Sequence, residues 1–459
     1  MEPTQSLAEY IAGASYVHLP EKVRDYAKVC LLDSLGCMMG GIRTPFGHIV
    51  LDLMANLGGR SEATVWATGQ KVPALHAAYV NAYLANALDF DDTDMGHPGV
   101  CVIPAALAIA EQRGASGQEL INAIVVGYEV YSRAAQAIQA TPERNRLMGG
   151  VSSTQLIGIF GATAAACALL CLPAEAVVMA LGLAGEQAPV PASLMGYVAE
   201  RPMSWSKNNC GWVAMGGVLA AQLAEKGFRA SQRVFDEEGR FWLRAGSDQC
   251  RFEQFTQGLG QEYRILNVSI KPYPCCRYTH TVLDATKAIM EKQKLDAGTI
   301  ERVEVRSFSR LARFLDYEPQ SIIDAQFSLP YVVAMVLLGK PPGYEWLSPV
   351  NLEDKKVLQN AGKVVFDVDE EAEGIYFDFK KRQFPATVIL GCTDGSRWSQ
   401  SAFIPRGDPR NAMSYDEIRA KFEALADPAI YPTKAERLLQ CIEQLEGLQV
   451  ASSIAEALQ

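Results

Sequence analysis

The stretch Asp89-Phe90-Asp91-Asp92-Thr93-Asp94-Met95-Gly96-His97-Pro98-Gly99 places four carboxylates, a threonine and a histidine within nine positions. Those residue types can take, hold and return a proton, because an imidazole titrates near neutrality and a carboxylate can orient it. The stretch lies between two apolar, alanine-rich runs, 77–88 and 102–110, of a length built for burial. A polar knot between them is expected at a helix-to-loop junction open to a cavity or to solvent, since unpaired buried charge is costly. Pro98-Gly99 is expected to break the helix and Pro104 to suit the first turn of the next. A plain capped loop joining two helices accounts for the pattern equally well. A magnesium site of the Asp-Asp-x-x-Asp kind does not fit: Asp91, Asp92 and Asp94 are too closely spaced, and a lone histidine is a poor magnesium ligand.

Two cations stand in unusual settings. Lys207 lies in Met203-Ser204-Trp205-Ser206-Lys207-Asn208-Asn209-Cys210, just before an Ala/Gly/Val helix. A helix dipole opposes a lysine there, which suits a cation aimed at an anionic ligand; a solvated loop lysine is the plain alternative. Lys271-Pro272-Tyr273-Pro274-Cys275-Cys276-Arg277-Tyr278-Thr279-His280 gathers cations, tyrosines and a histidine after an expected strand, held extended by its prolines. It reads as a carboxylate-binding corner. Of the five histidines, His18, His48 and His76 have ordinary helical surroundings, whereas His97 and His280 have polar neighbours suited to chemistry. Tyr331, by itself, reads as core.

The net charge of -10 argues against a nucleic-acid or anionic-membrane partner. Eleven scattered cysteines without a Cys-x-x-Cys pair read as reduced, mostly buried thiols in a cytoplasmic protein. The N-terminal Met1-Glu2-Pro3-Thr4 lacks the basic and apolar regions of a signal peptide, and the long apolar runs are Ala/Gly-rich and interrupted, like core helices.

A chain of 459 residues suggests two domains. Helices are expected across residues 5–41, at 46–58, and from about 73 to 228, including 117–139, 155–170, 174–187 and 211–227. The texture then changes. Strands are expected at 265–271, 300–307, 363–368, 385–391 and 397–402, with helices at about 279–293, 326–338 and 351–361, and a hairpin turn at Asp394-Gly395-Ser396. Ser414-Tyr415-Asp416-Glu417 opens a helical tail. The fold class predicted is mainly α: an all-helical domain (1–264 and 405–459) with an inserted, smaller α+β lid domain (265–404), and a cleft between them.

Four ordered segments resemble the MmgE/PrpD family, which includes 2-methylcitrate dehydratase, cis-aconitate decarboxylase and iminodisuccinate epimerase. They are 87–93 with His97-Pro98-Gly99, the Lys207 loop with its Gly-Trp helix, Lys271-Pro272-Tyr273-Pro274 with His280, and Phe327-Ser328-Leu329-Pro330-Tyr331; Ile404-Pro405-Arg406-Gly407-Asp408-Pro409 resembles the family's return from the lid. The resemblance implies a homodimer, no metal or organic cofactor, and a site between body and lid. It places Asp89, Thr93 and His97 in the first motif, Lys207 as the body lysine, and Lys271, His280 and Tyr331 on the lid side. Ser152 stands where the decarboxylase-like members carry a histidine, and serine cannot serve as a near-neutral acid or base.

The expectation is therefore a cofactor-independent lyase acting on a small di- or tricarboxylate. Lys207, Lys271 and Arg277 would bind carboxylates, with Thr93 and Ser152 at the substrate. His97 would move the proton, oriented by Asp89, while His280 or Tyr331 serves the opposite face or the leaving group. Dehydration of a methylcitrate-type substrate ranks first, then epimerisation of a dicarboxylate, then decarboxylation of the cis-aconitate type, then carboxylate binding without turnover.

Overall fold

The computed structural model describes residues 2–148, 151, 153–190, 201–378, 380–426 and 434–458. Ser152 lies outside these residues. The protein is mainly α with a small α+β part, as the patterning predicts.

The helical part is built around Gly158–Leu169, which packs against Pro98–Arg113, Gly117–Ala137 and Cys210–Glu225. Small residues permit this. A Cβ on Gly127 or Gly161 would press on the other's backbone carbonyl, so these two helices touch at their main chains. Pro98 opens its helix rather than breaking it, and Pro104 lies inside. A first-turn proline loses no intrahelical bond, because the first N–H groups of a helix have no intrahelical partner. No helix among the described residues is long and apolar enough to cross a membrane.

A two-stranded ribbon of the helical part comprises β1 (Ala63–Val65) and β2 (Gln70–Val72); the α+β part carries β3 (Ile300–Ser307), β4 (Val364–Val368), β5 (Ala386–Cys392) and β6 (Arg397–Ala402), in the sheet order β4-β3-β5-β6. β3 runs parallel to β4 and antiparallel to β5, with Val303 opposite Leu390 and Val305 opposite Val388. Those four side chains are buried beneath the helix His280–Gln293, which packs on β5 and β6. The β5–β6 hairpin turns at Gly395, whose φ of 84° suits glycine. The tail helix Tyr415–Leu425 opens with the Ser414/Glu417 capping box and packs on Glu21–Gly41.

One expected strand is absent. The segment 265–271 is not a strand: Arg264–Asn267 is a 3-10 turn, and only Ser269 pairs, with Thr93. The buried carboxylate of Glu129 accepts the N–H groups of Arg264 and Ile265, which removes donors a ladder would need. A helix at Glu370–Phe377, capped by Asp369, occupies a stretch for which the sequence pattern assigns no element.

Buried apolar side chains form two clusters. The first is helical, from Leu7 to Ile270 plus residues of the tail. The second is centred on the sheet, yet takes in Phe46, Leu88, Phe90 and Met203 from the helical part. The acidic stretch therefore begins where the two clusters meet.

Candidate active site

The helix Ala74–Asn86 ends in the acidic loop, and Leu88 and Phe90 anchor that loop in the second cluster. The alternation turns Asp89 and Asp91 to other surroundings. Asp89 and Met95 adopt left-handed φ values of 51° and 53°, and Gly96 stands at 131°. A side chain on Gly96 would strike the Tyr131 hydroxyl and Thr154. Non-glycine residues held in that region mark a backbone over-determined by its surroundings.

Of the two settings expected, a cavity or solvent, the carboxylates do not take the second. All four carboxylates are buried, and each is satisfied differently. Asp89 receives Lys207 Nζ on Oδ1 at 2.5 Å and Lys271 Nζ on Oδ2 at 2.8 Å. Asp91 holds His97 Nδ1 at 2.6 Å on one oxygen and Asn86 Nδ2 at 3.0 Å on the other. Asp92 accepts the Gly99 N–H at 2.9 Å and the Tyr128 hydroxyl. Asp94 accepts from Ser132 and pairs with Arg382 of the α+β part. Pairing, not exposure, meets the cost of burial.

Charge follows from these partners. Burial pushes the Asp89 carboxyl up, but Lys207, Lys271 and His97 outweigh it and hold it well below the usual carboxylate range. Asp91 is likewise held down against burial, by His97 and Lys271. Lys271 is opposed by its burial, yet Asp89 and Asp91 raise it and keep it an ammonium. Asp92 lacks a cation; burial, then Asp33 and Asp91, push it up to about 8. It is protonated at neutral pH.

Lys207 comes from the loop before Cys210–Glu225 and also donates to Gln326 Oε1 at 2.6 Å. Gln326 Nε2 in turn donates to Ala87 O at 2.8 Å. Asn208 donates to Asn86 at 2.9 Å, so Asn86 joins the lysine loop to the Asp91–His97 pair. Lys271 Nζ also donates to Asp89 O at 2.8 Å. From the tail, buried Lys421 donates to Asp33, to Phe90 O and, at 3.0 Å, to Lys271 O. Thr93 and Ser269 exchange backbone bonds of 2.9 Å, which clips the acidic loop to the segment entering Lys271. The Thr93 hydroxyl donates to Gly96 O at 2.7 Å.

The structure thus brings together Asp89, His97, Lys207 and Lys271. Arg277, His280 and Tyr331 are directed elsewhere. Arg277 donates to Ser269 Oγ at 2.8 Å and lies 3.5 Å from Asp408; burial lowers its pKa to about 10. His280 is fully buried, with Nε2 on Cys275 O at 3.1 Å and its ring edge-on to Tyr273; burial, then Arg277 and Lys271, keep it neutral. The Tyr331 hydroxyl donates to Trp346 O at 2.5 Å. The orientation of His97 by Asp89 needs correction: Asp89 Oδ1 lies 3.9 Å from Nε2, and Asp91 holds the ring. Asn86 and Gln326 were missed. Each is one position outside a stretch whose composition drew attention: Asn86 before Ala87-Leu88-Asp89, Gln326 before Phe327-Ser328. Among the described residues, no group of three or more His, Cys, Asp or Glu side chains could hold a metal ion.

The arrangement can bind a carboxylate and move a proton beside it. Each lysine makes two hydrogen bonds within the protein. Comparison with known proteins points to the same chemistry. The MmgE/PrpD N-terminal domain matches residues 5–253 and the MmgE/PrpD C-terminal domain matches residues 273–447. Cis-aconitate decarboxylase of Homo sapiens is 25% identical, covering 99% of this chain and 94% of that protein. The Mus musculus enzyme of the same name is 26% identical, over 99% and 93%. That of Aspergillus terreus is 25% identical, over 99% and 95%. With both family domains matched in order over most of its length, the chain belongs to the MmgE/PrpD family.

Proposed function

We propose that this protein is a lyase for a small di- or tricarboxylate, moving a proton at the carbon next to a carboxylate. One observation carries the reading. Asp91 holds His97 at Nδ1, while Nε2 faces the carboxylate on which Lys207 and Lys271 converge. With Nδ1–H donated to Asp91, the neutral ring has its lone pair on Nε2 and can act as base. As the proton leaves carbon, negative charge passes into the substrate carboxylate, where the two ammonium groups oppose it. Family membership and full-length similarity to cis-aconitate decarboxylases support a carboxylate lyase.

Dehydration of a hydroxy-tricarboxylate of the methylcitrate type is the first reading. One imidazole suffices for it. Nε2 takes the proton, the C–O bond breaks as the double bond forms, and the imidazolium returns that proton to the departing hydroxide as water. Epimerisation by two bases would need a second carrier on the opposite face, and the ring of His280 and the hydroxyl of Tyr331 are directed elsewhere. Decarboxylation is the second reading, favoured by the relatives' activity. There the bond to the departing CO2 breaks and imidazolium protonates the carbon left behind. Ser152, in the position where a resemblance to the decarboxylases would put histidine, ranks it second. A homodimer, with the α+β part as lid, belongs to the same proposal and is supported by the family.

A panel of polycarboxylates in heavy water, followed by proton NMR with trapping of released CO2, tests this. Alkene growth without CO2 is expected. CO2 release with solvent deuterium in the product replaces the first reading with the second. Deuterium exchange with inversion and no new alkene would replace both with an epimerase, and calorimetric binding without turnover would leave a binding protein.

A further inference from the structure

Lys207 belongs to the helical part, yet the α+β part holds it from one side. The short helix Ile322–Gln326 supports its loop at two points. Asp324 Oδ1 accepts the Met203 N–H at 2.9 Å, and Gln326 Oε1 accepts from Lys207 Nζ at 2.6 Å. The Phe327 ring lies 5.2 Å from the same ammonium.

Gln326 is fully buried, and both ends of its carboxamide are used. Nε2 donates to Ala87 O at 2.8 Å, just past the helix Ala74–Asn86 and two residues before Asp89. Its backbone carbonyl accepts the Cys276 N–H at 2.9 Å, five residues beyond Lys271. The partners fix which end is oxygen, because an ammonium can only donate and a carbonyl can only accept. One residue therefore touches the three segments that carry Lys207, Asp89 and Lys271.

The type of side chain matters. A lysine head turns on a flexible four-carbon stem. Asp89 gives it a counter-charge at one donor, and Gln326 fixes a second donor without adding charge. An ionised glutamate there would put a second carboxylate on the ammonium and turn an oxygen against Ala87 O. With glutamine, two ammonium groups share one carboxylate.

We propose that Gln326 is a positioning residue: it aims the Lys207 ammonium from the α+β side, and affinity for a polycarboxylate depends on it through Lys207. The inference rests on the carboxylate-binding element of the reading above, in which Lys207 opposes the charge of a substrate carboxylate.

Three variants test it. Gln326→Met keeps the length and removes both side-chain contacts. Gln326→Asn keeps the carboxamide and shortens its reach. Asp324→Ala removes the other support of the same loop and leaves the contacts of the Lys207 ammonium in place. Far-ultraviolet circular dichroism and urea unfolding show whether each is folded; where Gln326→Met is not, Gln326→Asn decides. Binding of tricarballylate, which has no hydroxyl to eliminate, is measured by calorimetry, and kcat/KM on whichever polycarboxylate is turned over. Gln326→Met should weaken binding and lower kcat/KM by about tenfold or more, the worth of a hydrogen bond to a charged group. Gln326→Asn should lower both by about threefold or more, and Asp324→Ala should lose stability with both changed by less than about threefold. Wild-type affinity and kcat/KM in either folded Gln326 variant overturn the positioning role. Equal losses from Asp324→Ala overturn it too, because support of the loop and not the direction of the ammonium would then be the cause. Tricarballylate binding that weakens in the Gln326 variants of a protein that turns over no polycarboxylate upholds the positioning role and removes the lyase reading. A wild type that neither binds tricarballylate nor turns over any polycarboxylate overturns both.

Discussion

Asp91 Oδ2 lies 2.6 Å from His97 Nδ1, inside a loop in which three other aspartates were equally available by sequence. The contact decides which ring nitrogen carries the proton and which works. Asp91→Asn keeps the shape and removes the charge. We expect kcat to fall by about 10²-fold or more, the range general acid–base catalysis supplies, with KM changed less. A kcat within threefold of wild type would remove Asp91 from the mechanism.

Lys207→Met leaves Asp89 buried with one cation in place of two. Breaking a buried ion pair from one side costs about 3–5 kcal/mol, so urea unfolding should shift strongly, with turnover lost. Asp89→Asn in the same chain should destabilise it further, because buried Lys271 then loses its counter-charge. Equal stability of the single and double variants would show that Lys271 does not depend on that charge.

Asp92 gives a pH dependence of stability with a definite sign. Its folded pKa is about 8, against about 3.9 for a free aspartate. The native state therefore binds more protons than the unfolded chain between those values, and stability falls as pH rises through that window. Asp92→Asn imitates the protonated acid: its carbonyl can accept from Gly99 and its amide can donate to Tyr128. The variant should gain on wild type between pH 6 and pH 8 in urea unfolding. Parallel stability curves would contradict the assignment of a neutral Asp92.

Gly96→Ala combines a φ of 131° with a clash on Tyr131 and Thr154. Such backbone conformations cost about 1–3 kcal/mol for other residues, and the clash adds to that. The expected outcome is a lower melting temperature together with reduced kcat, since His97 is the next residue. Loss of stability with unchanged kcat would mean that the ring is held independently of the turn.

The helical texture and the hairpin at Asp394-Gly395-Ser396 are legible from residue type and period, and residue type alone marks the charged positions 89, 97, 207 and 271 that the structure gathers. The partners within the acidic loop are not. Four aspartates in six positions look alike until the left-handed turns at Asp89 and Met95 point them apart, and the loop is held by groups distant in sequence, such as the Lys271 ammonium on Asp89 O and the Ser269 backbone on Thr93. The supposed strand at 265–271 fails for a related reason: Ile265, Val268 and Ile270 are buried as expected, but Glu129, far upstream, takes the backbone donors. The helix at Glu370–Phe377 was more accessible, since Asp369 followed by Glu370, Glu371 and Glu373 is a strong N-terminal signal.

Lys421 has a consequence for the order in which the protein becomes competent. Its ammonium grips Asp33 near the start of the chain, the carbonyl beside Asp89 and the carbonyl of Lys271. A nascent chain has made every proton-moving and anion-holding group well before this late helix leaves the ribosome, but not the peg that aligns them. A copy clipped ahead of residue 421 would carry all of those groups and no vice to hold them.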